Sequence, residues 1–462
     1  MSRTHVLVLP FPAQGHINPL MELSHELVKR GIKITFVNTN FNHERIMKVR
    51  AMRGGGGGEQ VENDLIQLVS IPDGLEQEEN KDRGLERLLE SMWKVMPKKL
   101  EKLIQEINES VGEMISCVVA DGAMGWALEV AEKMGIHGAA FIPTSASLLA
   151  LFLSIPKLLD DGIIDSNGTP IKDQIIHLAP EMPAMRTKHF LWTQVCDLNA
   201  QRIVFHFIMR GNKALESTDW VICNSTQELE PQTFAFSPNI FPIGPLQARK
   251  NNHTDHLAGS FWPADSTCMN WLDLQQDKSV IYVAFGSIAI FDHNQLQELA
   301  LGLELSNKPF LWVVRSDINK EANYDFLKEF EERLSSRGKV IGWAPQQKVL
   351  NHRSIACFLS HCGWNSTLEG LINGVPFLCW PFFADQFLDE TYISDIWKVG
   401  LRLGRNEGII SREEVASKIN QVFHDEGFRL RALELKEKAI NSVKDGGRSN
   451  KNLKNFVDWL KA

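Results

Sequence analysis

The sequence predicts an α/β protein built from two doubly wound domains. Apolar strand–helix–strand units occur in both halves of the chain. Their strands are apolar throughout and do not alternate with polar residues, which is typical of parallel strands buried on both faces. A stretch without periodicity, rich in Gly, Pro, Asn and His, lies between the halves at 241–265. We interpret it as the linker between the domains.

In the first half, the apolar run 5–11 (HVLVLPF) predicts the first strand. A helix follows, because apolar residues recur with helical spacing over 17–28, and Gly31 ends it. The next strand is predicted at 32–37. Further strands of this half are predicted at 115–121, 137–142 and 219–224.

The second half repeats this plan. A strand at 279–285 is followed by Gly286 and Ser287, by a helix at 294–306 and by a strand at 309–314. Further strands are predicted at 338–343, 356–361 and 376–380.

Composition and charge limit the classes of function. The chain has 462 residues, a net charge of -8 and a pI near 6.0, and it has no basic stripe of the kind that nucleic-acid binding requires. Its seven cysteines are odd in number and contain no C-x-x-C pair, so neither a disulfide framework nor a zinc ribbon is indicated. The N-terminus has no signal-peptide pattern. We therefore expect a cytoplasmic protein.

Two other segments have alternative interpretations. The uncharged stretch 134–156 is long enough to span a membrane, but Pro143, Thr144 and Ser145 interrupt it. We predict a buried strand, a turn and a buried helix there, and no stable membrane insertion. The five glycines at 54–58 do not follow a strand as phosphate loops do, so we interpret them as a surface insertion.

Polar residues stand where predicted strands end, and in parallel sheets ligands bind at those ends. His16 follows the first strand and lies just before a helix N-terminus, whose dipole favours the neutral imidazole of a general base. Asp121 ends another strand and would orient that imidazole. The spacing equally allows His16 and Asp121 to be simple helix caps.

A denser cluster lies in the second half. His361, Asn365, Ser366 and Glu369 occupy a loop and the first turns of one predicted helix, whose N-terminus is an anion site. Trp343 and Trp364 could stack on or enclose a ring, and Asp385 with Gln386 suits sugar hydroxyls. The chain has no two Asp residues separated by a single residue, so the sequence indicates no metal site at a pyrophosphate.

At these residues the chain resembles the plant family 1 UDP-dependent glycosyltransferases. The 44-residue signature of that family matches 343–386, with WAPQ at its start, HCGWNS in its middle, EG after it and DQ at its end. The GlnGlyHis at 14–16, the AlaPheGlySer at 284–287 and the closing run GGRSNKNL at 446–453 are also similar to the family. The resemblance extends over essentially the whole chain.

The resemblance implies a GT-B fold, with two Rossmann-like domains and a cleft between them. It implies an N-terminal acceptor-binding domain at 1–244, a linker at 245–262, a UDP-sugar-binding domain at 263–445 and a C-terminal helix at 446–462 that returns to the first domain. His16 would be the catalytic base and Asp121 its partner.

The resemblance also implies the donor site. Trp343 would stack on uracil, with the backbone of Ala344 bonding its edge, and Gln346 and Glu369 would hold the ribose. The pyrophosphate would be bound by Ser287, His361, Asn365 and Ser366. The hexose would be bound by Trp364, Asp385 and Gln386, with Thr144 as a further sugar contact.

The implied activity is the inverting transfer of glucose from UDP-glucose to a hydroxyl or carboxyl group of a small hydrophobic acceptor, such as a flavonoid, another phenolic or a terpenoid. We expect a monomer without a metal or bound cofactor. The acceptor pocket is expected among six apolar residues of the predicted core and loops: Phe11, Trp126, Phe141, Leu148, Trp192 and Phe382. The alternative is a UDP-sugar-binding sensor or scaffold without turnover, which would have no need of His16 and Asp121.

Overall fold

The computed structural model describes residues 4–52, 65–75, 84–110, 114–195, 197–249, 259–315, 321–334, 337–405 and 408–462. Contacts divide the chain into two compact units. The first is Met1–Phe261 together with Asn441–Ala462, and the second is Trp262–Ile440. The glycine run at 54–58 and residues 250–258 of the predicted linker lie outside the described residues.

The first unit is built on a seven-stranded parallel sheet with the order β3-β2-β1-β4-β5-β8-β9. A short antiparallel hairpin, β6 with β7, lies outside that sheet. The strands are β1 His5–Leu9, β2 Lys33–Thr39, β3 Ile66–Ile71, β4 Cys117–Asp121, β5 His137–Ile142, β6 Ile175–Ile176, β7 Met185–Arg186, β8 Trp220–Cys223 and β9 Ile240–Pro242.

Helices connect these strands and cover the sheet. The α-helices of the first unit are Gln14–Val28, Asn40–Met52, Leu85–Asn108, Gly125–Lys133, Ala146–Leu153, Ile155–Asp160, Leu198–Glu216, Pro231–Phe236 and the C-terminal Arg448–Lys461. The predicted buried strand, turn and helix at 134–156 are confirmed as β5, a three-residue turn and Ala146–Leu153. No helix among the described residues is long and apolar enough to cross a membrane.

The second unit contains a six-stranded parallel sheet with the order β12-β11-β10-β13-β14-β15. Its strands are β10 Val280–Ala284, β11 Phe310–Val313, β12 Gly338–Ile341, β13 Ile355–Ser360, β14 Phe377–Cys379 and β15 Gly400–Arg402. Its α-helices are Thr267–Asp273, His293–Leu305, Glu321–Arg333, Gln346–Leu350, Trp364–Asn373, Gln386–Thr391, Arg412–His424 and Glu426–Val443, the last of which ends in the first unit's C-terminal segment.

Both sheets are therefore parallel and doubly wound, which confirms the predicted fold class. Every strand predicted from the apolar runs is present, usually one or two residues shorter than the run. Three further strands of the two main sheets, β3, β9 and β15, escaped the sequence analysis because they are short or only partly buried. In each sheet the chain reverses its direction of winding at one point, between β1 and β4 and between β10 and β13.

The C-terminal segment packs against the edge of the first sheet. Trp220 of β8 contacts Phe456 and Trp459, with ring centroids 5.7 and 6.2 Å away. The buried guanidinium of Arg249 donates to the carbonyl of Val443 and to Asn450 Oδ1, at 3.3 and 3.0 Å. Burial lowers the pKa of Arg249 to about 10, so it remains charged at neutral pH. These contacts assign the C-terminal helix to the first unit.

A buried carboxylate organises the turn after β5. Glu230 is 1% exposed and accepts hydrogen bonds from the backbone N–H groups of Ala146 and Ser147, both at 3.0 Å, and from the Ser225 hydroxyl at 2.5 Å. The helix Ala146–Leu153 has no cap from its own N-cap side chain, so Glu230 supplies it from a distant part of the chain. Burial raises the pKa of Glu230.

We expect Glu230→Ala to destabilise the protein by about 2–4 kcal/mol, because three buried donors lose their acceptor. Glu230→Gln should lose less, since it keeps one acceptor oxygen. Glu216→Ala is the control, because Glu216 is an exposed carboxylate in the same unit. Urea midpoints followed by circular dichroism should fall in the order wild type, Gln variant, Ala variant. An Ala variant as stable as the control would contradict the capping role.

Candidate active site

One candidate site lies at the point where the first sheet reverses its winding. β1 and β4 are parallel neighbours, with Leu9 opposite Ala120, so the segments that follow them start at the same edge. His16 lies in the first turn of the helix Gln14–Val28, and not before the helix as the sequence analysis had it. Asp121 is the last residue of β4. Ligands of open parallel sheets bind at this kind of position.

His16 and Asp121 form a hydrogen-bonded pair. Nδ1 of His16 lies 2.7 Å from Oδ2 of Asp121, and the other carboxylate oxygen accepts from the backbone N–H of Ala123 at 2.9 Å. The Asp121 side chain is 1% exposed, whereas that of His16 is 25% exposed. With the proton on Nδ1 donated to Asp121, the lone pair of neutral His16 is on Nε2. The pair is thus built to accept a proton at Nε2 and to stabilise the imidazolium that results.

Gln14, two residues before His16, holds a distant segment against the same helix. Its Nε2 donates to the carbonyl of Gly259 at 2.9 Å, and its Oε1 accepts from the N–H of Phe261 at 2.7 Å. A Cβ at Gly259 would come within 2.8 Å of Ile17, so the close approach requires glycine. The GlnGlyHis motif pointed to this position, but its role depends on residues more than 240 positions away.

A second candidate site lies at the corresponding point of the second sheet. β10 and β13 pair with Ala284 opposite Ser360, and Gly286 and His361 follow them. Gly286 has φ +69°, and a Cβ there would come within 2.6 Å of Nε2 of His361. The backbone of this loop therefore lies directly against the imidazole. Ser287, the next residue, is half-buried.

A strained turn leads from β13 into the helix Trp364–Asn373. Cys362 has φ +66°, in the left-handed region, and Ser360 and Thr367 stabilise it. The Ser360 hydroxyl accepts from the Cys362 N–H at 3.1 Å, and the Thr367 hydroxyl donates to the Cys362 carbonyl at 3.1 Å. Gly363 at the N-cap offers no side chain to the first helical N–H groups. These donors and the helix dipole can therefore bind an anion.

His361 adds a neutral donor to this anion site. Its Nδ1 is buried and has no hydrogen-bond partner among the described residues. Burial lowers the pKa of His361 to about 4, against a weaker opposing effect from a backbone hydrogen bond to Ala284. The ring is therefore uncharged at neutral pH and has a single N–H, so a hydrogen bond to an oxyanion would take the place of the one to Ala284. Asn365 and Ser366 are the second and third residues of the helix Trp364–Asn373.

Gln346 and Glu369, predicted together at a diol, are hydrogen-bonded to each other. Nε2 of Gln346 donates to Oε2 of Glu369 at 2.6 Å and to Oγ of Ser366 at 2.9 Å, while its Oε1 accepts from the hydroxyl of Tyr282 at 3.1 Å. The other Glu369 oxygen accepts from Gln347 at 3.1 Å. Gln346 thus orients the Glu369 carboxylate. Tyr282 was missed in the sequence because it stands in an apolar strand.

Gln386 is oriented by its own loop. Its Oε1 accepts from the backbone N–H groups of Phe382 and Phe383, at 2.8 and 3.3 Å. These two bonds occupy the side-chain oxygen of Gln386. Its side-chain NH2 is therefore the part that can contact a ligand, as a hydrogen-bond donor. Asp385, the preceding residue, is 9% exposed and can supply the acceptor.

The two tryptophans expected at the donor differ in exposure. The ring of Trp364 is 1% exposed and lies among Tyr392 and Trp397, with centroids 6.4 and 6.2 Å away. The ring therefore presents almost no surface to a ligand, and the backbone of Trp364 is the part that begins the helix Trp364–Asn373. Trp343, in contrast, is half-buried and follows β12 directly.

Most of the residues expected around an acceptor are core residues. Trp126, Phe141, Leu148 and Trp192 are between 0 and 4% exposed. The first three belong to a strand and helices of the first unit's core, whereas Trp192 lies in a short turn and packs against Phe190 and Phe205, with ring centroids 4.9 and 5.5 Å away. Phe11 and Phe382 are half-buried. Phe11 lies beside the site, with its ring centroid 5.1 Å from that of His16.

Thr144 lies in the turn after β5, whose neighbouring helix is capped by Glu230. Its carbonyl accepts from the Cys223 thiol at 3.6 Å, and its side chain is partly exposed.

Among the described residues, no group of three or more His, Cys, Asp or Glu side chains has the arrangement of a metal site.

Known proteins share this combination of sequence and fold. Residues 198–439 match the family described as "UDP-glucoronosyl and UDP-glucosyl transferase", and residues 2–248 match "Glycosyltransferase, N-terminal domain". UDP-glycosyltransferase 83A1 of Arabidopsis thaliana is 46% identical over 467 aligned residues, which cover 100% of this chain and 98% of the relative. The chain belongs to the plant family 1 UDP-dependent glycosyltransferases. It is a transferase that uses a UDP-sugar.

Other relatives also align with this chain over almost its whole length. Linamarin synthase 1 of Manihot esculenta is 34% identical, with 98% of this chain and 96% of the relative aligned. The crystal structure of Os79 from O. sativa in complex with UDP has a TM-score of 0.80 and 29% identity, over 98% of this chain and all of that one. A UDP-glucosyltransferase from Polygonum tinctorium capable of glucosylating indoxyl has a TM-score of 0.81 and 27% identity, over 100% and 99%.

The pKa of His361 has a consequence for stability. Because it is about 4 in the folded protein and near 6.5 in an unfolded chain, the unfolded state binds more protons between these values. Stability is therefore full above pH 6.5 and falls as the pH decreases toward 4, by roughly 2–3 kcal/mol from this group. His361→Gln should lose less stability than the wild type between pH 7 and 4.5, as measured by thermal midpoints. Parallel losses in the two proteins would show that His361 is not buried in its neutral form.

Proposed function

We propose that this transferase moves glucose from UDP-glucose to a hydroxyl or carboxyl group of a small hydrophobic acceptor, with inversion to a β-glucoside. The observation that carries the proposal is the 2.7 Å hydrogen bond between His16 Nδ1 and Asp121 Oδ2 at the carboxyl end of β1 and β4. A protein that only bound UDP-sugars would not need an oriented, partly exposed base there. Several relatives are named as glucosyltransferases of small molecules, including 7-deoxyloganetin glucosyltransferase of Gardenia jasminoides.

In the proposed reaction, Nε2 of His16 takes the proton of the acceptor hydroxyl. The acceptor oxygen forms a bond to the anomeric carbon, while the bond from that carbon to the β-phosphate oxygen breaks and UDP leaves with the electron pair. The attack comes from the side opposite the leaving group, so an α-linked donor gives a β-linked product. The Asp121 carboxylate stabilises the His16 imidazolium.

The donor is assigned to the second unit. Trp343 stacks on uracil beside the Ala344 backbone, and Glu369, oriented by Gln346, accepts from the ribose hydroxyls. The pyrophosphate lies at the N-terminus of the helix Trp364–Asn373, where the helix dipole meets the charge that develops on the leaving group. Neutral His361 donates to it, together with Ser287, Asn365 and Ser366.

The sugar contacts follow from the orientation of each group. The Gln386 amide donates to one glucose hydroxyl, the Asp385 carboxylate accepts from another, and the backbone N–H of Trp364 replaces the ring contact that the sequence had suggested. Thr144 is a further proposed sugar contact. For the acceptor, Phe11 remains the best-supported apolar contact because it lies beside His16. We further propose a cytoplasmic monomer.

The base assignment is tested by UDP release from UDP-glucose with a panel of phenolic, terpenoid and carboxylic acceptors. We expect His16→Ala to lower kcat by about 10²–10⁴-fold, the range that general-base catalysis supplies. Asp121→Asn should also lower kcat, because an amide cannot stabilise the imidazolium as a carboxylate does.

The matched control is His137→Ala. His137 also lies near a carboxylate, with Nδ1 3.2 Å from Oδ2 of Asp219, but at the opposite, amino end of its strand. Its loss should leave kcat within about twofold of the wild-type value, since it is remote from the proposed site. Equal UDP release by wild type and His16→Ala at saturating acceptor would rule out His16 as the base.

Gln386→Ala separates sugar recognition from nucleotide binding. The loss of one donor to a glucose hydroxyl should lower kcat/KM for UDP-glucose about three- to tenfold, as expected for a neutral hydrogen bond. The Kd of UDP, which has no sugar, should not change in isothermal titration calorimetry. A matching loss of UDP affinity would show that Gln386 supports the nucleotide site and not the hexose.

A further inference from the structure

Trp262, the first residue of the second unit, stacks on Trp343. The two ring centroids are 4.6 Å apart and the planes are inclined by 29°. Trp262 comes from the segment that precedes the sheet, more than 75 residues before Trp343 in the chain, so this is a tertiary contact. Both side chains are half-buried. One face of Trp343 is therefore covered by a second indole.

The same segment also holds the backbone of Trp343. The N–H of Asp265 donates to the carbonyl of Trp343 at 2.8 Å. Asp265 is itself fixed, because its Oδ1 accepts from both the N–H and the hydroxyl of Thr267, at 2.8 and 2.6 Å. The segment 262–267 thus contacts Trp343 twice, at its ring and at its main chain.

A cation completes the arrangement around Trp262. The guanidinium carbon of Arg315, which follows β11, lies 5.4 Å from the Trp262 ring centroid. Arg315 is 5% exposed, so its position is set by the surrounding protein. A guanidinium over an indole is attracted by the negative face of the ring, and this contact restrains Trp262 in turn. Arg315 therefore restrains the ring of Trp262, and Trp262 in turn restrains the ring of Trp343.

We propose that Trp262 is a positioning residue for the nucleotide base. It covers one face of Trp343 and fixes the plane of that ring, so that uracil stacks on the other face without first having to order the indole. The inference rests on the proposed role of Trp343 as the uracil platform. A platform that is ordered before binding loses less conformational entropy on binding, and this gain appears as affinity.

The test is UDP and UMP binding by isothermal titration calorimetry. Trp262→Ala should raise both Kd values by the same factor, about tenfold, which corresponds to about 1.4 kcal/mol. The factors should be equal because the effect acts through the base and both ligands carry it. Trp262→Phe should restore most of the affinity, since a smaller ring still covers Trp343. KM for the UDP-sugar should rise with Kd, while kcat at saturating donor stays within about twofold.

The matched control is Phe423→Ala in the helix Arg412–His424. Phe423 is half-buried in the same unit and has the Lys308 ammonium 5.0 Å from its ring centroid, but Lys308 precedes β11, at the end of the sheet opposite the site. Its loss removes a similar aromatic and cation contact and should leave both Kd values unchanged. If Phe423→Ala weakened binding as much as Trp262→Ala, the loss in both variants would reflect a general loss of stability. That result would overturn the proposal.

Two further outcomes are decisive. Unchanged or tighter UDP binding by Trp262→Ala would overturn the proposal, and tighter binding would mean that Trp262 occupies the place of the base. Trp343→Ala separates this result from a failure of the proposed donor site. If Trp343→Ala weakens UDP binding and Trp262→Ala does not, only the positioning role fails, whereas unchanged binding in both variants removes the uracil platform itself.

Discussion

Parallel pairing of the central strands is the constraint on which both candidate sites depend. Parallel strands all end at the same edge of their sheet, and each sheet reverses its winding at one pair, β1 with β4 and β10 with β13. The segments after those strands diverge and leave room for a ligand between them. His16 meets Asp121 in the first sheet and His361 meets the loop of Gly286 in the second for this one geometric reason.

The two candidate sites differ in the charges around their histidines. The first site keeps a buried carboxylate, Asp121, beside a partly exposed imidazole, so a positive charge that forms on His16 has a fixed counter-charge at 2.7 Å. The second site keeps its imidazole neutral by burial and relies on backbone N–H groups and a helix dipole. The first site can therefore accept a proton beside a fixed carboxylate, and the second could bind an anion without a formal positive charge at His361.

Much of this could be predicted from the chain alone. Continuous apolar runs identified the central strands because buried parallel strands carry no polar alternation. The compact signature at 343–386 identified the family because its residues are close in sequence. The acceptor pocket stays a prediction. Trp126, Phe141 and Trp192 are core residues, and sequence cannot distinguish a buried aromatic from one that lines a pocket, because both require the same apolar side chain.

The sequence by itself determined the fold class, the family and the chemical types of the groups in the site, because strand periodicity and short motifs are local properties of the chain. Only the tertiary structure decided how those groups are used. Gln346 orients Glu369, Gln386 presents its amide, the ring of Trp364 lies in the core, and Trp262 covers a face of Trp343. These roles depend on partners brought close by the packing of separate elements, and spacing along the chain contains no record of them.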